Sequence, residues 1–141
     1  MGLPGSGKST YVEKLGATAL ASDEIRRLLS DDPENQKIHR RVFGVLRSLL
    51  KQRIELARPV TYIDATNLTP YERRPYVKLA NLYDCDIDTV FFDVPADECQ
   101  RRNRARNRVV PDEVILEMST RLVRPTVGEG FRRVIVVKED E

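Results

Sequence analysis

Alternating strand and helix signals predict an α/β protein whose parallel sheet is flanked by helices, and three observations carry that prediction. Short apolar runs at residues 18–21, 60–63, 87–94 and 134–137 alternate with stretches of helical periodicity. A glycine-rich turn, Gly2-Leu-Pro-Gly-Ser-Gly-Lys-Ser9, opens directly into the first helical stretch. Carboxylates follow the first two strands, where open α/β sheets place their ligands. The 141 residues fit one compact domain over residues 1–141. A chain of this size buries about 70% of the surface its unfolded form exposes, so a true core is possible.

The elements follow in order. Residues 8–15 form a short helix that Gly16 ends as a C-cap. Residues 18–21 make a short strand. Ser22 then offers an N-cap oxygen to a helix reaching about residue 29, with Asp23 and Glu24 in its first turn. Asp31, Asp32 and Pro33 form a turn. Over residues 36–57 the apolar positions Ile38, Val42, Val45, Leu46, Leu49, Leu50 and Ile54 recur at helical spacing, and Pro59 closes that helix. Residues 60–63 read as a strand ending at Asp64. Thr69 caps the next helix, with Pro70 at its first position, to about residue 83. Residues 87–94 are the clearest strand. Helices over 97–107 and 112–123 and a last strand over 134–137 complete the series.

Composition narrows the function. Hydrophobic residues make up 40% and charged residues 33%, and no apolar run approaches the length of a membrane span. No basic and apolar leader stands at the N-terminus, and two cysteines, Cys85 and Cys99, are too few for a disulfide scaffold, so a cytoplasmic protein with two buried thiols is expected. Net charge is only +2, but Arg101, Arg102, Arg104, Arg106 and Arg108 crowd one segment while Glu139, Asp140 and Glu141 make an acidic end. Such a local cluster points to a phosphate-bearing ligand. Without Trp, and with 6% aromatics, the chain lacks a stacking platform for single strands. His39, on the long helix, has no partner at metal-ligand spacing, and Phe43 and Phe131 read as core.

The segment Gly2–Ser9 fits G-x-x-x-x-G-K-[ST] at every fixed position. Glycines let backbone amides converge on an anion, and the following helix points its positive end at the same phosphates. Lys8 can reach the β- and γ-phosphates of ATP, and the Ser9 hydroxyl can ligate Mg²⁺. The candidate ATP-binding set is Gly2, Pro4, Gly5, Ser6, Gly7, Lys8, Ser9 and Thr10, with Arg102 and Arg106 from the later arginine segment. An accidental match is expected roughly once in a few hundred chains of this size.

Three further segments carry chemistry. Asp23 opens a helix after a strand, and a carboxylate there can accept a hydroxyl proton during phosphoryl transfer. Arg26, three residues on, lies on the same face and could hold an acceptor phosphate. The plain alternative is that Asp23 and Glu24 only favour the helix N-terminus. Asp64, ending an apolar strand, has the Walker-B arrangement for Mg²⁺, and Thr66 and Asn67 beyond it could touch the acceptor. Asp93, before Pro95, is the weaker competitor. In the arginine segment, Arg102 and Arg106 are four apart and project from one helical face, able to close as a lid over a triphosphate. A solvated basic face or a nucleic-acid docking surface are the alternatives.

In this order the segments Gly2–Ser9, Ser22-Asp-Glu-Ile-Arg26, Asp64-Ala-Thr-Asn-Leu68, Arg101-Arg-Asn-Arg-Ala-Arg106, Val110-Pro111 and Pro125-Thr-Val-Gly-Glu-Gly-Phe131 resemble the 5′-hydroxyl polynucleotide kinase family, a P-loop kinase domain. The resemblance implies transfer of the ATP γ-phosphate to a 5′-hydroxyl of DNA or RNA. It implies Asp23 as general base, Arg26 on the phosphate 3′ of the acceptor nucleoside, Lys8 and Ser9 on Mg²⁺·ATP, and a lid over residues 97–110 carrying Arg102 and Arg106. It also places residues 124–130 near the base. P-loop kinases for small alcohols such as sugars, antibiotics and nucleotide sugars share this skeleton, and a non-catalytic nucleotide-binding module is a third reading. A phosphate loop normally follows a central strand. Here Met1 stands directly against Gly2, so that strand is expected upstream of this sequence, or supplied by another segment or chain, or replaced.

Overall fold

A computed structural model describes residues 1–106 and 110–138. Arg108, with Asn107 and Val109, and the acidic end Glu139, Asp140 and Glu141 lie outside the described residues. The fold is α/β, with parallel strands and flanking helices. In order it runs α1 (Lys8–Leu15), β1 (Ala19–Ala21), α2 (Ser22–Ser30), α3 (His39–Glu55), β2 (Tyr62–Asp64), α4 (Pro70–Leu82), β3 (Asp88–Asp93), α5 (Ala96–Arg104), α6 (Asp112–Arg121) and β4 (Arg133–Lys138). Short 3₁₀ turns at Gln36–Ile38 and Val127–Glu129 precede α3 and β4. The chain divides into two compact units, one of Ser9–Ala65 and one of Met1–Lys8 with Thr66–Glu141.

In the Ser9–Ala65 unit, β1 and β2 pair in parallel, with Ala19 opposite Tyr62 and Ala21 opposite Asp64. Helix α2 buries Ser22, Ile25 and Arg26, spaced along one stripe, and α3 buries Val42 and Leu46 completely. The periodicity over 36–57 therefore overstates the buried face: Leu49 is exposed, and the regular helix stops at Glu55. Ser22 is already helical, and Ala21 takes the cap position without a side-chain bond, so the expected Ser22 cap does not form. The other end of α2 turns at Asp31, whose backbone is left-handed at φ 58° and whose amide donates to the Arg27 carbonyl.

In the other unit β3 and β4 pair in parallel from Asp88–Arg133 to Asp93–Lys138. Its core joins Leu3, Leu68, Val94, Cys99 and Ile115, with Val110, Met118 and Leu122 packed against it. Thr69 caps α4 as read from the sequence, accepting from the Glu72 amide at 3.3 Å. Pro75 lies inside α4 and removes the bond to the Tyr71 carbonyl, on an exposed part of the helix where water can serve instead. Met1, which leads into the phosphate loop, lies beside β3. Its amino group donates to Val90 O at 2.6 Å and its carbonyl accepts from Phe92 at 3.0 Å, while the Gly2 amide donates to Thr66 O at 3.1 Å. Among the described residues the strands form two parallel pairs.

Two other expectations are corrected. Helix α5 ends at Arg104, so Arg106 lies beyond the helix and does not share a helical face with Arg102. The cause is tertiary. Buried Asn103 donates its side-chain amide to Val110 O and accepts from the Val110 amide, which turns the chain out of the helix. Of the two thiols expected to be buried, Cys99 is buried and Cys85 is exposed.

Candidate active site

The phosphate loop holds its shape through its own backbone. Ser6 donates its amide to Leu3 O at 3.1 Å, and Gly5 adopts φ 84°, where an added Cβ would lie 2.6 Å from the Cys99 carbonyl oxygen. Glycine is therefore required at that position twice over, by its dihedral and by the backbone pressed against it. Ser6 Oγ is buried without a hydrogen-bond partner. An orphaned hydroxyl in a loop of converging amides fits an anion, since burial without a partner otherwise costs about 1–3 kcal/mol. Lys8 turns its ammonium back onto the loop, donating to Gly2 O at 3.1 Å and Leu3 O at 2.9 Å. Pro4 and Gly7 are half-buried members of the loop, and Thr10 is exposed on α1.

Ser9 Oγ donates to Asp64 Oδ2 at 2.7 Å. A hydroxyl and a carboxylate this close form the hard oxygen pair that Mg²⁺ takes beside phosphates and water, so these residues fit that ion. Among the described residues no three His, Cys, Asp or Glu side chains converge. Asp93, the competing strand-end carboxylate, is instead paired with Arg124 at 3.0 Å, and Arg124 also stacks over the Phe91 ring.

On α2, Arg26 Nη1 donates to Asp23 Oδ1 at 3.1 Å; the arginine side chain is 5% exposed and the aspartate 53%. Arg26 Nε is buried and has no partner. A guanidinium held by one exposed carboxylate, with a further N–H unmatched, fits an anionic ligand.

The loop after β2 is fastened through its backbone. Thr66 O accepts from Gly2, Asn67 O accepts from Arg73 Nη1 at 2.9 Å, and Glu72 accepts the Leu68 amide at 2.8 Å. Asn67 itself is left-handed at φ 47°.

Helix α5 brings Arg102 to the phosphate loop, where Nη1 lies 3.4 Å from Ser6 O. Glu98 organises this face, bonding Arg101 and, at 2.9 Å, Arg102 Nε. Hydrogen bonds from Arg101 and then Arg102 pull the Glu98 carboxyl down to about 2. Arg106 follows the C-terminal turn of α5, its amide bonded to Asn103 O.

Sequence reasoning missed one buried assembly. Arg73, 2% exposed, forms a two-pronged pair with Glu129, Nε to Oε1 at 2.9 Å and Nη2 to Oε2 at 3.0 Å. Burial raises the Glu129 carboxyl, but Arg73 and the Thr126 amide outweigh it and hold it below its ordinary value. The signal was present: Arg73, Tyr76, Val77 and Ala80 follow the spacing of one helical stripe, so Arg73 stands on the buried face of α4.

The fold is similar to that of an unliganded sugar kinase from Janibacter sp., at a TM-score of 0.70 and 19% identity, covering 100% of this chain and 83% of that one. It is also similar to a gluconokinase from Sinorhizobium meliloti, at a TM-score of 0.60 and 19% identity, covering 100% of this chain and 81% of that one. No curated protein sequence matches the chain significantly. A family model described as an AAA domain matches residues 1–125, and the chain, with its phosphate loop at one end of that match, belongs to this AAA-domain family of P-loop proteins.

Proposed function

We propose that the protein is a kinase that transfers the γ-phosphate of ATP to a hydroxyl of a small acceptor bearing an anionic group, of the sugar-acid kind. The observation that carries the reading is the buried, unmatched Nε of Arg26 beside the exposed carboxylate of Asp23. That pairing offers a hydrogen-bond donor for an anion and a proton acceptor within one helical turn. The choice of a small acceptor is supported by the sugar kinase and gluconokinase that share the fold. Two unpaired thiols agree with a reducing, cytoplasmic setting.

In this reading the amides of residues 2–9 and Ser6 Oγ hold the triphosphate, and Lys8 exchanges the carbonyls of Gly2 and Leu3 for its phosphates. Ser9 and Asp64 would hold Mg²⁺, which would supply positive charge against the developing negative charge of the phosphates. Asp23 accepts the proton of the acceptor hydroxyl as its oxygen bonds to the γ-phosphorus and the bond to ADP breaks. Arg26 holds the acceptor anion, Thr66 and Asn67 contact the acceptor, and Arg102 and Arg106 stabilise the transferring phosphoryl.

A second reading, transfer to a 5′-hydroxyl of DNA or RNA, is favoured by the ordered run from Asp64-Ala-Thr-Asn-Leu68 to Arg101–Arg106, with Arg26 then holding a phosphodiester. Incubation with γ-labelled ATP and a panel of sugars, sugar acids, nucleosides and 5′-hydroxyl oligonucleotides separates the readings. Label on a small anionic alcohol is the expected outcome. Label on oligonucleotides alone transfers the assignment to the second reading, and ATP binding with label nowhere indicates a non-catalytic module. Asp23→Ala should lower transfer about 100-fold or more with ATP affinity retained.

A further inference from the structure

We infer that Arg73 is a positioning residue for the acceptor-side loop at Thr66–Asn67, an inference that rests on the kinase reading above. Its guanidinium is buried and uses two edges at once. One fork grips Glu129 through Nε and Nη2, and the remaining Nη1 donates to the Asn67 carbonyl. Glu129 is fixed in turn by the Thr126 amide at 3.0 Å, in a capping box that Thr126 and Glu129 form between them. The turn ends at Gly130, with φ 117°, where a Cβ would lie 2.6 Å from a Val77 methyl, so this turn seats closely on α4.

Asn67 has a left-handed backbone, which Asn tolerates better than most L-residues but which surrounding contacts must still favour over the extended and helical regions. Its carbonyl neighbours on either side are tied to backbone amides, Thr66 O to Gly2 and Leu68 O to Val123. Asn67 O alone of the three is tied to a charged side chain. Arg73 therefore links the Thr126–Gly130 turn to the loop that begins two residues after Asp64. A lysine at position 73 keeps the charge but cannot make three directed bonds in one plane.

The test compares Arg73→Lys with Ala80→Gly, which weakens α4 nearly a turn beyond the Val77 methyl that Gly130 meets. Arg73→Lys should raise KM for the acceptor about tenfold, with KM for ATP unchanged, because misplaced binding groups weaken alignment of the reacting atoms. Ala80→Gly should lower Tm without moving either KM. Hydrogen exchange over residues 66–69 should accelerate in Arg73→Lys and not in Ala80→Gly. An acceptor KM unchanged in Arg73→Lys, or exchange that accelerates equally in both variants, overturns the proposal. Should the wild type phosphorylate no acceptor, the kinase reading fails by itself, and the exchange comparison still decides whether Arg73 fixes the loop.

Discussion

Gly5, Arg26 and Arg73 show how single residues shape this fold. At Gly5 the backbone is left-handed and the Cys99 carbonyl closes the space a side chain would need. Gly5→Ala should therefore lower stability by about 2 kcal/mol or more, measured by denaturant unfolding, and weaken ATP binding in a titration. Unchanged unfolding would mean that α5 does not press on the loop. Arg26 and Arg73 share a different lesson. Each is an arginine on the buried stripe of its helix, spaced with Ser22 and Ile25 in one case and with Tyr76 and Val77 in the other. Arg26 stands in the same sequence as a phosphate loop, which marks it as a candidate anion ligand. Arg73 had no motif around it, although its position on the stripe marked it, because a charge on an apolar face calls for a partner. The partner, Glu129, is 56 residues away and could not be named without the fold.

At the level of elements, starts were more legible than ends. Thr69, Pro70 and Glu72 carry a local start signal, and α4 begins there. The end of α5 depends on Asn103 meeting Val110, a contact seven residues away that no capping rule anticipates, and so the four-residue spacing of Arg102 and Arg106 does not place them on one helix. Within α5, Glu98 sets a pH dependence. Its folded carboxyl, at about 2, lies below the ordinary 4.5 because Arg101 and Arg102 bond it. A depressed carboxyl contributes stability that is complete above about 4.5 and is lost as pH falls towards about 2. Thermal unfolding followed across that window should show Tm falling more steeply in the wild type than in Glu98→Gln. Equal slopes would assign the acid loss to other carboxylates.

Across the whole molecule, fold class was readable because strand and helix periods alternate from one end to the other, and the shared fold with two kinases agrees with it. The pairing of strands was not, since register and partners arise from contacts between distant residues: β3 with β4, and Met1 beside Val90 and Phe92. The unequal burial of the two thiols has a practical consequence. Cys85 is open to solvent, while Cys99 stands on the buried face of α5 with its carbonyl against the phosphate loop, and burial pushes its thiol up to about 11. Only the thiolate is nucleophilic, so Cys99 should alkylate only when the packing around α5 opens. The chain thus carries an internal clock for that opening. Iodoacetamide followed by mass spectrometry should show one prompt adduct at Cys85 and a slow second at Cys99. Mg²⁺·ATP should lengthen the second phase alone, reporting occupancy of the phosphate loop from a sulfur that never meets the ligand.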